Sequence, residues 1–200
     1  MTLPSPHIVL LAAGASERLG TPKQLLPYQG TTLIRHLLKV ALDSRAGGVT
    51  VVLGAHADLI EPEISRMHVK VARNREWQTG ISSSIRAGLE GVQGADSVLF
   101  MLSDQPLVTT PFLNSIIDRS RESPGRIVAS AYKGTVGVPA LFPHRHFSEL
   151  SRLKGDEGAK SFLLRHRQEI LTLPFPDGAV DIDNLSDLKK LRQDPSHSNS

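Results

Sequence analysis

Apolar positions along the chain switch between two periods, and the switches outline the elements. The run His7-Ile-Val-Leu-Leu-Ala-Ala13 predicts a buried strand, ended by the small-residue stretch Gly14-Ala-Ser-Glu-Arg-Leu-Gly20. Over residues 32–42, Leu33, Leu37, Leu38 and Ala41 recur at helical spacing, and Gly47-Gly48 closes the segment. Residues 49–53 and 69–72 read as strands, with a helix over 57–67 between them in which Pro62 fits only a first turn. Ile85, Leu89 and Val92 mark another helix, with Ser82, Ser83 and Ser84 offering cap oxygens at its start. Val98-Leu-Phe-Met-Leu102 is apolar throughout, as strands of a parallel sheet covered on both faces are, and it runs straight into Ser103-Asp104-Gln105-Pro106.

The second half continues with a helix over 111–121, a strand over 127–131, and a loop plus strand between Lys133 and Pro143. Helices follow over 147–153 and from the Gly155-Asp-Glu-Gly-Ala-Lys160 segment through His166; short strands are expected at 170–173 and 179–182, and a last helix at 186–191. Strands alternating with helices predict a three-layer α/β fold on a mostly parallel central sheet, whose ligands sit beyond the carboxyl ends of the strands. Residues 1–191 read as one domain, and 192–200 as a frayed tail.

Composition narrows the function. A chain of 200 residues buries a core without staples. The absence of cysteine excludes disulfides, thiolate nucleophiles and thiolate metal sites. The 23 Lys and Arg are scattered among 20 Asp and Glu, so the net charge of +3 makes no nucleic-acid stripe. No apolar run reaches the ~18 residues of a spanning helix. The opening segment lacks a cation ahead of its short apolar run, unlike a signal peptide, so a cytoplasmic enzyme is expected.

Three strand ends carry candidate chemistry. In the first, Ala12, Ala13, Gly14 and Ala15 allow backbone amides to approach an anion, and Arg18 and Lys23 add two cations. This is neither a P-loop, since Thr21-Pro22 stands where Lys-Ser/Thr is required, nor G-x-G-x-x-G, since Ser16 holds the second glycine position. Alone, the stretch suits an ordinary strand-to-helix turn as well as a polyphosphate cradle. Asp104, at the second end, suits either a helix cap or a hard-cation ligand. Asp181-Ile-Asp183 offers two further carboxylates on one face of a strand, with an acidic helix cap as the competing reading. His144 and His146 have no third ligand nearby in sequence and read as surface histidines. Ser82 to Ser84 lack a His and acid partner for a hydrolase triad, and Trp77 reads as packing for the loop before them.

Taken together, LAAGASERLGTPKQLLP, WQTGISSSIRAGL at 77–89, LSDQP at 102–106, GVPALF at 137–142, GDEGA at 155–159 and DID at 181–183 resemble the molybdenum cofactor cytidylyltransferases, within the molybdopterin guanylyltransferase-like nucleotidyltransferase family. The resemblance spans residues 8–191 and implies a Rossmann-like nucleotidyltransferase fold. It implies that Ala12, Ala13 and Gly14 hold a nucleoside triphosphate, with Arg18 and Lys23 on its phosphates. Gly80 and Ser84 fall to the nucleotide, Ser84 near base and ribose, and Asp104 and Asp183 to Mg²⁺, for which Mn²⁺ can substitute. The 155–160 segment then faces the acceptor. Ala13 stands where the guanylyl branch has a second glycine, which favours CTP over GTP. The acceptor implied is molybdenum-molybdopterin, whose phosphate is already anionic and needs no general base, and the product's recipient is a molybdenum hydroxylase. Transfer to another small phosphate compound, or nucleotide binding without catalysis, are the alternatives.

Overall fold

The computed structural model describes residues 5–92, 94–182 and 187. Strand β1 (His7–Ala12) is followed by two 3-10 turns, Glu17–Leu19 and Lys23–Leu25, and by an antiparallel hairpin of β2 (Pro27–Tyr28) and β3 (Thr31–Thr32). Next come α1 (Leu33–Leu42), β4 (Gly48–Leu53), α2 (Ala57–Ile64), β5 (Lys70–Arg73), α3 (Ile81–Glu90), β6 (Ser97–Leu102) and α4 (Thr110–Glu122). The chain continues through β7 (Ile127–Tyr132), β8 (Thr135–Pro143), α5 (Phe147–Leu150), α6 (Ala159–Arg165) and β9 (Ile170–Pro174).

Seven strands form one sheet in the order β5-β4-β1-β6-β8-β7-β9. β1 lies between β4 and β6, parallel to both; β5 is parallel to β4 and β9 to β7, while β8 runs antiparallel to β6 and β7. The pleat sends alternate side chains to opposite faces, and both faces are apolar. Ile8 and Leu10 of β1 join Leu99 and Met101 of β6 against α1, α2 and α4. Val9, Leu11, Val98 and Phe100 face the other way, against α3, α5 and α6. Phe100, Phe142 and Phe162 pack edge to face across this second layer, with centroids 5.9 and 5.7 Å apart. Truncating the fully buried Phe100 to Ala would cost about 3–5 kcal/mol. The three-layer, mostly parallel arrangement is the one expected, and it brings the carboxyl ends of β1, β4 and β6 to one edge.

Local details differ from the sequence reading. Pro62 lies inside α2, not in its first turn; the carbonyl that its missing amide leaves over is on exposed Asp58, where water serves. Gly80, not a serine, caps α3, and the three serines occupy its first turns. No strand forms over 179–182. A 3-10 turn, Pro176–Ala179, leads instead into a segment whose Ile182 amide donates to the Asp104 carbonyl at 2.9 Å. The β2–β3 hairpin was not anticipated, because each strand is too short to show a period. The predicted helix at 186–191, apart from Asp187, and the tail at 192–200 lie outside the described residues.

Candidate functional site

At the carboxyl edge of the sheet, Ala13, Gly14, Lys23, Trp77, Gly80, Ile81, Ser84, Ser103 and Asp104 line one cleft of about 200 Å³. The sheet register explains why. β1 and β6 end side by side, and the Ser103 amide still donates to the Leu11 carbonyl at 3.2 Å, so Asp104 emerges beside the small-residue loop after β1.

That loop is held from several directions. Ser16 adopts a left-handed backbone (φ 56°), which is strained for a residue with a Cβ, and its Oγ accepts from the Lys23 amide at 3.0 Å. The returning chain thereby carries Lys23 back over the cleft. Gln24, fully buried, donates through Nε2 to the carbonyls of Ala12 at 2.9 Å and Gly14 at 3.2 Å. His56 Nε2 lies 2.8 Å from the Ala15 carbonyl; a carbonyl only accepts, so Nε2 carries the hydrogen. Gly54 makes the approach of β4 possible, since a Cβ there would sit 2.7 Å from both the Ala13 carbonyl oxygen and the Trp77 Cβ. With its carbonyls engaged beneath, the loop lines the cleft with Ala13 and Gly14.

Lys23 Nζ lies 3.0 Å from Asp104 Oδ2, with the two side chains only 16% and 24% exposed. The other carboxylate oxygen, Oδ1, is buried and has no hydrogen-bond partner among the described residues. Asp104 is therefore not a helix cap; Thr109 caps α4, its Oγ accepting from the Phe112 amide. A buried anionic oxygen without a donor is costly unless something positive meets it. A hard divalent cation satisfies that requirement, and Asp104 fits as its ligand.

On the opposite wall, Asn74 Nδ2 donates to Ser83 Oγ at 2.8 Å and Ser84 Oγ at 3.0 Å. Ser83 passes its own hydrogen to the Gly80 carbonyl at 2.8 Å, while Ser84 faces the cleft at the positive end of α3. Gly80 has φ +102°, and a Cβ there would fall 2.2 Å from the Gly155 carbonyl oxygen. The Gly155 carbonyl also accepts from the Ser82 amide, so the 155–158 loop rests on the mouth of α3. Trp77 is half-buried: it packs on the second core layer and also lines the cleft.

The structure thus brings together Ala13, Gly14, Lys23, Gly80, Ser84 and Asp104. Ala12 contributes only backbone, its side chain pointing into the α1 layer. Arg18 has its backbone in the Glu17–Leu19 turn, its side chain lying outside the described structure, and Asp183 is outside the described residues. Asp181 is near enough to act on the same phenol as Asp104: the Tyr132 hydroxyl is pushed to higher pKa chiefly by burial and further by both carboxylates. Gln105 donates to Tyr132 at 3.5 Å and to the Gly178 carbonyl at 3.1 Å, tying the Asp104 loop to the end of the described chain. The sequence reading missed Gln24, Asn74, Gln105 and His56; the one signal was polar residues where a core period was expected. A larger cavity of about 610 Å³ lies along the β7–β8 hairpin and β9, but no carboxylate lines it.

A cleft at the carboxyl edge of a mostly parallel sheet, with a glycine turn, a lysine and a carboxylate oxygen without a donor among the described residues, could hold a phosphate-bearing ligand and its cation. Residues 8–170 match the MobA-like NTP transferase domain, and the chain belongs to that family of nucleotidyltransferases. It is 30% identical over 201 residues to nicotine blue oxidoreductase of Paenarthrobacter nicotinovorans, covering 94% of this chain and 97% of that one. It is 34% identical over 170 residues to the purine catabolism protein PucB of Bacillus subtilis, covering 80% and 82%. Among solved structures, Rv0371c of Mycobacterium tuberculosis superposes with a TM-score of 0.83 at 32% identity, over 97% of this chain and 100% of that one. A further structure of Rv0371c, in complex with manganese, gives 0.79 at 30% identity, over 94% and 97%.

Proposed function

We propose that the chain, as one nucleotidyltransferase domain, transfers CMP from CTP to the terminal phosphate of molybdenum-molybdopterin and releases pyrophosphate. The observation that carries this reading is the Lys23–Asp104 pair beside the glycine turn, with one Asp104 oxygen buried and without a donor among the described residues. In the reaction an acceptor phosphate oxygen bonds to the α-phosphorus of CTP as the bond to the bridging oxygen of pyrophosphate breaks. The nucleophile is already an anion, so the protein's work is alignment and charge compensation.

Each residue then has a task. The Ala13–Gly14 backbone cradles the triphosphate, and Lys23 and Arg18 offset charge on the departing pyrophosphate. Ser84 and the α3 terminus bind near the ribose. Asp104, with Asp183, would hold Mg²⁺ or Mn²⁺, which when bound neutralises charge on the phosphates. The manganese complex of Rv0371c supports a divalent ion for this fold. The Ala13 methyl, fixed against Gly54, narrows the base side and favours cytosine over guanine. The 155–158 loop faces the acceptor, and the product passes to a molybdenum hydroxylase in the cytoplasm. Among the described residues no helix is long and apolar enough to cross a membrane.

The test is incubation with Mg²⁺, each nucleoside triphosphate in turn and molybdenum-molybdopterin, with the product identified by mass. The cytosine dinucleotide and equimolar pyrophosphate are expected from CTP. Product only from GTP, or only with another phosphate acceptor, would replace the specific reading while keeping the transferase. Absence of pyrophosphate with every triphosphate, while a triphosphate still binds, would favour the second reading, a nucleotide-binding module without catalysis.

A further inference from the structure

Away from the nucleotide cleft, the connection after β8 meets the end of α6, and the fold gathers ligands there that the sequence keeps apart. His146, in the turn after β8, is buried at 6% exposure and is not the surface histidine its sequence context suggests. His166, at the end of α6, and Glu149, on α5, come to it: one ligand atom from each of the three lies within 4.8 Å of the other two. His166 Nε2 is 2.9 Å from Glu149 Oε1, and its Nδ1 is 3.2 Å from Glu169 Oε1. Glu169 also reaches His146, with Oε2 at 3.7 Å from Nε2.

Both rings are fixed by the core. Phe162, fully buried, stacks on His166 at 4.2 Å between centroids and meets His146 edge to face at 5.6 Å. A pair of imidazoles held in place beside two carboxylates is a donor set that suits a borderline divalent cation in four-coordination. Arg145 is the competitor: it donates to His146 Nε2 at 3.2 Å and to Glu169 at 2.7 Å, and its side chain, half exposed, must leave these partners for an ion to enter.

We propose that His146, Glu149 and His166, with Glu169 beside them, form a second metal site, selective for Zn²⁺-like ions over Mg²⁺ and independent of the nucleotide cleft. The ion would join the turn after β8 and α5 to the α6–β9 connection. Its effect is therefore on stability and not on the transferred group. Binding would draw the ligand atoms, now within 4.8 Å of one another, onto an ion with Zn–N bonds of about 2.0–2.1 Å.

The test is titration of the chelator-treated full chain with Co²⁺ as a spectroscopic probe, then displacement by Zn²⁺. One equivalent is expected to give an intense tetrahedral ligand-field band, and Asp104→Asn to keep it. His166→Gln should abolish it while retaining the wild-type far-ultraviolet dichroism. Exposed Glu149→Gln, which tests the site without disturbing the core, should weaken binding at least about tenfold. Arg145→Gln should tighten it by about fivefold, since it removes a like charge and a competing donor. Zn²⁺ at a hundredfold excess over Kd should raise Tm by roughly 5–10 °C, and this rise should vanish in His166→Gln. A band lost in Asp104→Asn but kept in His166→Gln would overturn the proposal, as would no band in wild type.

Discussion

Lys23 Nζ and Asp104 Oδ2 stand 3.0 Å apart although they lie 81 positions apart in the chain; Asp104 follows β6 closely, and Lys23 is brought back by the loop after the neighbouring β1. The pair lines the cleft, and on the proposed function its charges serve the bound phosphates more than the fold. Lys23→Ala and Asp104→Asn are each expected to lower kcat by about a hundredfold to a thousandfold. Stability should fall by only about 1–2 kcal/mol, read as a Tm shift of a few degrees. Steady-state pyrophosphate release and a thermal melt on the same preparations check both halves.

Gln24 supports the glycine turn from below through two donated bonds. Gln24→Ala leaves those carbonyls without a side-chain donor in a buried place, at an expected cost of about 1–3 kcal/mol. Because the turn loosens, KM for the triphosphate should rise more than kcat falls. Denaturant titration and substrate-saturation curves distinguish this from a purely structural loss, which would leave KM of the folded fraction unchanged.

Gly80 combines a left-handed φ of +102° with backbone contact to Gly155. Gly80→Ala must both strain its own backbone and push the 155–158 loop away. We expect a loss of about 2 kcal/mol or more and faster amide hydrogen exchange confined to 80–84 and 155–158. A variant with wild-type melting and exchange would mean the two loops are not packed as described.

His7 bonds Thr50 Oγ1 through Nε2 at 2.8 Å, and its ring pKa is depressed by burial first and by Lys70 second. The folded state favours the neutral ring. Stability from this group is complete above the ordinary histidine value of about 6.5 and is lost as pH falls from there toward the lower folded value. His36, depressed chiefly by burial, acts in the same direction. Denaturant midpoints at pH 7.5 and pH 5.5 should show a smaller loss on acidification in His7→Gln than in the parent chain. An equal loss would remove His7 from the account.

Much of the arrangement is legible from the chain because both faces of the sheet are apolar. Runs such as 98–102 announce themselves, and the rule that ligands lie past strand ends then singles out Gly14 and Asp104. Gln24, Asn74 and Gln105 were hidden for the opposite reason. Their task is to satisfy carbonyls and hydroxyls of distant segments, and a local period carries no trace of such partners. The same holds for β8, whose antiparallel run follows from a hairpin turn at Lys133-Gly134, both left-handed in φ, and not from its apolar pattern. The 179–182 segment misled because its alternation is real, yet Ile182 docks on the Asp104 loop through its amide, and among the described residues no strand edge pairs with it to make a ladder.

The most direct measurement is a crystal of the full chain grown with Mn²⁺ and a non-hydrolysable CTP analogue, with data collected at the manganese edge. An anomalous peak in direct coordination of Asp104 Oδ1, with the triphosphate on the Ala13–Gly14 backbone and Lys23 turned to its phosphates, is the predicted result. A triphosphate bound elsewhere, or manganese with no contact to Asp104, would contradict the central claim.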